Sequence, residues 1–502
     1  MIINVLEYLE YSYEKKPHKI VFSDEHNEIT YKELVDKSKR IGSWISKRYN
    51  VKNKPIAVLI DRNIESLVMF LGVVYSGNFY VPIDMNLPNE RIKSMFCTIS
   101  PITIIGFESY RNPIEQLGYE FNNYSDISKV ESDHKILDDI RSKMIDTDPL
   151  YAIFTSGSTG VPKAVLISHR SVIDLVECFK ETFEFSDNDI FGNQAPFDFD
   201  VSVKDIYSTL KNSATMQIIP KQLFVFPVKL IDYLNERKIT TVIWATTALC
   251  VVANLRAMRN QKPLYLEKIM FSGEVMPIKI LNYWKDNLPD AKYVNLYGPT
   301  EITCNCSYYK VSREYELNEV LPIGIPFKNT DIIVLNEKNQ PVVEEEIGEL
   351  CVRGTSLALG YYNNTEKTQE MFCQNPLNAV YPERIYRTGD LVKYNKMGEL
   401  IYCSRKDFQV KHMGHRIELG EIEVAANAID FVERSCCLYD EERGKIILFY
   451  QSEREQNEEV LSKLSECLPK YMIPACFICM KSIPLNKNAK IDRTKLKEKY
   501  IN

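Results

Sequence analysis

Apolar residues along this chain follow two rhythms. Short runs rich in β-branched residues read as strands buried on both faces: PIAVLI (55–60), YAIFTS (151–156), AVLIS (164–168), TVIWA (241–245) and KYVNLYG (292–298). Longer stretches between them, such as RNIESLVMFLGVVYSG (62–77), carry apolar residues at helical spacing. Their alternation up to residue 404 predicts an α/β fold in which largely parallel sheets are flanked by helices. Past Arg405 the texture becomes charged and rich in lysine and glutamate, with one helix-like stretch (418–430) and one apolar strand, KIILFY (445–450). The pattern therefore predicts a large N-terminal domain over 1–404 and a small α+β C-terminal domain over 405–502. The chain shows no internal repeat and no low-complexity tract.

Composition narrows the function classes. The 502 residues are 45% hydrophobic and 26% charged, as in ordinary globular proteins. The 62 basic and 68 acidic residues leave a net charge of −6 with no long basic run, which speaks against nucleic acid or an anionic membrane as a partner. An anion handled here has to be held by a local site. The N-terminus, MIINVLEYLEYSYEKKPHK, interrupts its apolar residues with glutamates and lacks a small-residue cleavage site, and no run reaches the ~20 apolar residues of a membrane span. A cytoplasmic protein is expected. The 13 cysteines include two close pairs, Cys304 with Cys306 and Cys476 with Cys479. Neither pair has the second pair or the histidines of a zinc site, so buried thiols on apolar strands are expected.

Residues 155–163 read TSGSTGVPK and lie between two strand-like runs. Gly157 and Gly160 free the backbone; Thr155, Ser156, Ser158 and Thr159 add hydroxyls; Lys163 adds a positive charge. Such a nest of donors suits a polyphosphate, although the same cluster alone also fits a plain surface loop. It is not the GTPase-type loop, because the lysine here follows a proline, three residues after the last glycine.

Four further motifs follow in order: NLYGPTE (295–301), YRTGDL (386–391), RKDFQVKHMGHRIELGEIE (405–423) and PLNKNAKIDR (484–493). With TSGSTGVPK they make the chain, from ITYKEL (29–34) to Lys490, resemble the adenylate-forming superfamily. The nearest likeness is to amino-acid adenylation domains of nonribosomal peptide synthetases and to D-alanine–D-alanyl carrier protein ligases. The resemblance implies ATP-dependent activation of an amino acid as aminoacyl-AMP, with pyrophosphate release. Transfer to the phosphopantetheine thiol of a separate carrier protein would follow. It implies ATP and Mg²⁺ as cofactors and a small C-terminal domain that swings between the two reactions. Thr155, Ser156, Gly157, Ser158, Thr159, Gly160 and Lys163 would serve the phosphates. Tyr297 would stack on adenine beside Asn295, with Gly298 also on the nucleotide side; Thr300 would meet the α-phosphate and Glu301 would hold Mg²⁺. Asp390 would accept the ribose hydroxyls, with Arg405 reaching the same sugar. Lys490 would be catalytic, because carboxylate attack on a phosphate gathers negative charge. Asp407 would be the hinge. The chain departs from the family pattern at Ala489, where glycine is usual, and at Met413, where arginine is usual, with His412 before it.

The stretch FDFDVSVKDIY (197–207) matches the acyl pocket. Asp200 stands where the family binds the substrate α-ammonium, which favours an amino acid over an aryl or fatty acid. The remaining wall would be Val201, Lys204, Trp244, Met270, Ser272, Leu296, Cys304 and Asn305, and the bulk of Trp244 and Met270 suggests a small or flat pocket. Trp244, SGEVMP (272–277) and NQAPFDFDVSVKDIY (193–207) are similar to the D-alanine ligases. Ser272 and Lys204 depart from them, which carry cysteine and an apolar residue there. Lys204 either pairs with Asp200 one helical turn away, meets an acidic or polar substrate side chain, or is solvated. Rival readings are an acyl- or aryl-CoA ligase, against which Asp200 argues, and a nucleotide-binding relative without turnover. Glu301, Asp390, Arg405 and Lys490 together argue against the second. The sequence ends twelve residues after Lys490, so a carrier in trans is expected; a monomer is also expected.

Overall fold

The computed structural model describes residues 1–157, 161–317, 319–343, 345–406, 409–485 and 491–501. Its contacts divide the chain into two compact units. The first is Met1–Asp84, Ser100–Ile153 and Val165–Ser404; the second is Met85–Ile99, Phe154–Ala164 and Arg405–Asn502.

Two mainly parallel sheets organise the first unit. In the longer one, Lys292–Tyr297, Lys268–Ser272, Thr241–Ala245, Ile190–Asn193, Thr215–Ile218 and Ile20–Ser23 run parallel in that spatial order. Antiparallel strands close it, Ser307–Lys310 at one side and Glu28–Thr30 at the other. The other sheet is centred on Pro55–Ile60, flanked by Phe79–Asp84 and Thr103–Gly106, all parallel. Every residue of Pro55–Ile60 is buried, as a strand covered on both faces requires. A third sheet, antiparallel throughout, joins Thr330–Leu335, Gly348–Gly354, Arg384–Tyr394 and Phe372–Gln374.

Local chemistry explains the helices that cover these sheets. Tyr31–Tyr49 begins with a capping box in which Thr30 and Glu33 satisfy each other's backbone N–H groups, and it ends at Asn50 in the left-handed region. Ile64–Tyr75 starts from Asn63, whose side chain accepts from Ser66 N, and its apolar residues are buried from Ile64 to Tyr75. The apolar runs at 241–245 and 292–298 appear as Thr241–Ala245 and Lys292–Tyr297. No helix among the described residues is long and apolar enough to cross a membrane.

In the second unit a three-stranded sheet orders Arg434–Asp440, Lys445–Gln451 and Cys476–Met480, with helices Leu419–Asn427, Asn457–Cys467 and Arg493–Tyr500 beside it. Its cores gather Ile417, Ile422, Leu448, Val460 and Leu464 on one side and Phe449, Ile483 and Leu496 on the other. The hairpin Gln409–His412 and His415–Glu418 turns through Met413 (φ 53°) and Gly414 (φ 80°). Both values are positive, as a two-residue turn that follows strand twist demands. The thiols differ from expectation at one place. Cys304 and Cys306 are buried, but in the second pair Cys476 is exposed and Cys479 only partly buried.

Candidate functional site

In the first unit the candidate residues cluster at the carboxyl ends of parallel strands. Ser272 and Tyr297 are the last residues of their strands, and Trp244 is next to last in its own. In open α/β sheets this is where ligands bind, since the loops there diverge.

Beyond Tyr297 the backbone folds tightly on itself. Gly298 and Pro299 lead into a single 3-10 turn, Thr300–Ile302, followed by Thr303 (φ 55°) and Cys304 (φ 71°), two non-glycine residues in the left-handed region. A Cβ on Gly298 would stand 2.6 Å from Asn305 Cα and 2.7 Å from Cys304 O, so only glycine admits this close approach. The fold presents Cys304, whose thiol donates to Asp200 O at 2.8 Å, and Asn305, whose Oδ1 accepts from Lys204 Nζ at 3.0 Å.

Among the residues expected to meet the nucleotide, Tyr297 donates its hydroxyl to Asp390 Oδ2. Burial, reinforced by the Asp390 charge, raises the Tyr297 hydroxyl well above its ordinary pKa, so it stays a donor. Asp390 lies buried in the strand Arg384–Tyr394, and its N–H donates to Thr388 Oγ1 at 3.0 Å. Asn295 donates from Nδ2 to Pro322 O at 2.8 Å. Glu301 is fully buried, and Tyr361 donates to its Oε1 at 2.8 Å. Sequence reasoning missed Tyr361; the signal available was a tyrosine next to Gly360, which takes φ 136°.

Among the candidate acyl residues, Asp200 is half-buried at the start of the helix Val201–Asn212. Burial raises its pKa, opposed by Thr300 and by the Lys204 charge. Lys204 is 0% exposed. Its ammonium donates to Ser272 Oγ at 3.2 Å and to Asn305 Oδ1 at 3.0 Å, and makes no ion pair with Asp200 among the described residues. The solvated reading of this lysine is thus excluded, and direct pairing with Asp200 is not observed. Burial lowers the Lys204 pKa, while Cys304, Asp200 and Asp205 oppose that shift.

Strand register settles which wall residues share a face. Met270 pairs with Val294, and Trp244 pairs with Phe271. Since neighbours along a strand point to opposite faces, Met270, Ser272 and Leu296 lie on one side and Trp244 on the other. Met270 and Leu296 join the first hydrophobic cluster; Trp244 joins the second, donating from Nε1 to Gly192 O at 2.7 Å with its ring edge-on to Phe224. The structure therefore does not bring Trp244 to the face that carries Met270, Ser272 and Leu296. Val201 is half-exposed at the first turn of the helix.

In the second unit the described part of the candidate phosphate loop is engaged by residues 416 to 421. Ser156 Oγ donates to Arg416 O at 2.8 Å and accepts from Glu418 N at 3.2 Å. Gly157 N donates to Glu421 Oε2 at 3.3 Å, and Lys163 Nζ lies 3.7 Å from Glu418 Oε1. Arg91 pairs with Glu421 in the interior of the unit. A Cβ on Gly157 would come within 2.1 Å of Val161 O, which rules out any other residue there without a backbone shift. Thr155 Oγ1 is buried without a hydrogen-bond partner, and Arg405 is partly exposed at the end of the strand Leu400–Arg405. Glu418, Glu421 and Arg91 were not among the sequence candidates. Ser158, Thr159, Gly160, Asp407 and Lys490, with Ala489, lie outside the described residues.

Comparison with known proteins adds a family. Residues 9–362 match the family described as AMP-binding enzyme. A D-alanine--D-alanyl carrier protein ligase of Staphylococcus haemolyticus (strain JCSC1435) is 32% identical over 500 residues, spanning 97% of this chain and 97% of that protein. Tyrocidine synthase 1 of Brevibacillus parabrevis is 29% identical over 486 residues, which cover 96% of this chain and 44% of that protein; the chain thus spans less than half its length. Among solved structures, an NRPS protein containing adenylation and PCP domains superposes with a TM-score of 0.86 at 22% identity, over 99% of this chain and 84% of that one. The fold is accordingly the adenylation-domain fold, a large N-terminal domain with a small C-terminal one.

Proposed function

From membership of the AMP-binding enzyme family, to which this chain belongs, we propose that it couples ATP cleavage to the activation of an amino acid. The product is aminoacyl-AMP with release of pyrophosphate, and the acyl group then passes to the phosphopantetheine thiol of a separate carrier protein. The D-alanyl carrier protein ligase that this chain matches over nearly its whole length supports the carrier, as does the solved protein that joins an adenylation domain to a PCP domain. The observation that carries the amino-acid reading is Asp200, a half-buried carboxylate at the opening of a helix with no ion-pair partner among the described residues. A substrate α-ammonium supplies the counter-charge that such a carboxylate needs.

The residues present suit ATP and Mg²⁺. Glu301 is a buried oxygen donor of the kind Mg²⁺ prefers, and Asp390 offers carboxylate oxygens to ribose hydroxyls beside the Tyr297 ring. Bound Mg²⁺ supplies neutralisation of phosphate charge. Gly157 N–H, the Ser156 hydroxyl and Lys163 are donors suited to the phosphates. The roles of Lys490 as the catalytic cation and Asp407 as the hinge rest on the motif resemblance.

ATP–pyrophosphate exchange across D- and L-amino acids, aryl acids and fatty acids tests this reading. Exchange with an amino acid, followed by acyl loading of a phosphopantetheinylated carrier, is expected. Exchange confined to aryl or fatty acids would replace it with the CoA-ligase reading. Asp407→Pro, which fixes φ near about −65°, is expected to spare one half-reaction and abolish the other.

A further inference from the structure

Lys204 poses a charge problem that the first unit does not resolve alone. The side chain is 0% exposed, and its partners, Ser272 Oγ at 3.2 Å and Asn305 Oδ1 at 3.0 Å, are both neutral. No carboxylate among the described residues lies within ion-pair distance of it. Asp200 and Asp205 act on it from farther away. Asp205 is shared: it also faces Arg62, which donates to the carbonyls of Ile219, Ala195 and Asn193, and its Oδ2 accepts from Asn193 Nδ2 at 2.8 Å. Once a substrate α-ammonium engages Asp200, the buried Lys204 and the partly buried Arg62 are left facing one carboxylate, Asp205.

Asn305 supplies the second, independent observation. It is 2% exposed, and because Oδ1 receives the Lys204 proton, its amide nitrogen is the group left over. That nitrogen is buried with no acceptor. A buried N–H without a partner calls for an explanation, and an absent ligand is one. Lys204 also has a third N–H beyond the two it uses. The cluster therefore offers two donors and a buried ammonium with no carboxylate at ion-pair distance among the described residues. A carboxylate answers all three, with two acceptor oxygens and a negative charge. A carboxamide oxygen leaves the charge unanswered, and an aliphatic side chain leaves all three.

We propose that the amino acid activated here carries a carboxylate on its side chain, received by the Lys204 ammonium and the Asn305 amide. The inference rests on the reading that this chain activates an amino acid through Asp200.

The test is ATP–pyrophosphate exchange by the full chain, with aspartate, glutamate, asparagine, glutamine, alanine and glycine, in both enantiomers where they exist. The unmodified protein is expected to prefer an acidic amino acid over its own amide by at least about tenfold. Lys204→Met is expected to lower kcat/KM for the acid by about ten- to a hundredfold, with a much smaller change for alanine. Asn305→Ala is expected to act in the same direction by a few-fold. The acid-to-amide preference needs no variant, so it stands as a test even if Lys204→Met fails to fold. Exchange with neutral amino acids alone would overturn the acidic side chain and leave amino-acid activation intact. Exchange with no amino acid at all, by protein that still binds ATP, would overturn amino-acid activation itself and this inference with it. An unchanged acid-to-amide ratio in folded Lys204→Met would also overturn the assignment.

Discussion

Lys204 in the first unit and Lys163 in the second are both largely buried, yet they are held in opposite ways. Lys163 faces Glu418 at 3.7 Å, and the adjacent Gly157 N–H is taken by Glu421. Lys204 has two neutral acceptors and no carboxylate at ion-pair range among the described residues. Among the described residues of this loop, Ser156, Gly157 and Lys163 are thus engaged within their own unit, and an anion proposed to bind there has to compete with carboxylates for Gly157 N–H and Lys163. The Lys204 cluster is arranged the other way, with a buried cation that has no carboxylate at ion-pair range and an Asn305 amide N–H without an acceptor among the described residues. A site whose charges are already compensated can rest without its ligand at little electrostatic cost; one that keeps an uncompensated buried charge gains most from a ligand of opposite sign.

The largest expected effect tests whether the second unit contributes more than phosphate binding. Lys490→Ala should reduce aminoacyl-AMP formation by about 10²–10³-fold, while transfer from supplied aminoacyl-adenylate survives. Measuring the two half-reactions separately decides it: equal loss in both would remove Lys490 from the chemistry of the first. Next is the counter-charge at the first unit's pocket. Asp200→Asn keeps the shape and deletes the charge, so the Michaelis constant for the amino acid should rise about ten- to a hundredfold with little change for ATP. An unaltered amino-acid constant would mean that no ammonium is bound there.

A smaller effect concerns stability. Burial raises the Asp205 carboxyl to about 7, with the Asn193 hydrogen bond and the Lys204 charge opposing. A carboxyl that holds its proton more tightly folded than unfolded loses stability as pH rises. The loss should run from about pH 4 to pH 7 at no more than about 1.4 kcal/mol for each pH unit. Asp205→Asn should flatten denaturant-derived stability over that window; a slope identical to that of the unmodified protein would reassign it to other groups. The smallest effect sharpens the view of the phosphate loop. Glu418→Gln keeps an acceptor for its neighbours while releasing Lys163 from a partly screened carboxylate, so the ATP constant should fall by about two- to fivefold. A rise instead would mean that Glu418 positions the loop rather than competing with its ligand.

Much of this was legible along the chain, for identifiable reasons. The parallel strands at 55–60, 241–245 and 292–298 announce themselves because burial on both faces demands uninterrupted apolar runs. The texture change at Arg405 falls where the contact-defined units divide the sequence, but Met85–Ile99 and Phe154–Ala164 join the second unit with no signal in their composition. Asp200, Glu301, Tyr297 and Asp390 could be named from motif spacing. Their partners could not: Tyr361 reaches Glu301 from 60 residues away, and Asn305 reaches Lys204 from 101.

The sequence by itself determined the family, the alternation of strands and helices, and the candidate residues proposed for the nucleotide, because each depends on local patterns and short motifs. Only the tertiary structure decided what those groups face. Strand register put Trp244 on the face opposite Met270 and Ser272, since one residue along a strand reverses the side chain's direction. The left-handed pair Thr303 and Cys304, pressed against Gly298, placed Asn305 against Lys204. A lysine that one turn of helix would pair with Asp200 instead lies buried against two neutral acceptors. Charge compensation depends on distances across the core, and linear spacing does not encode them.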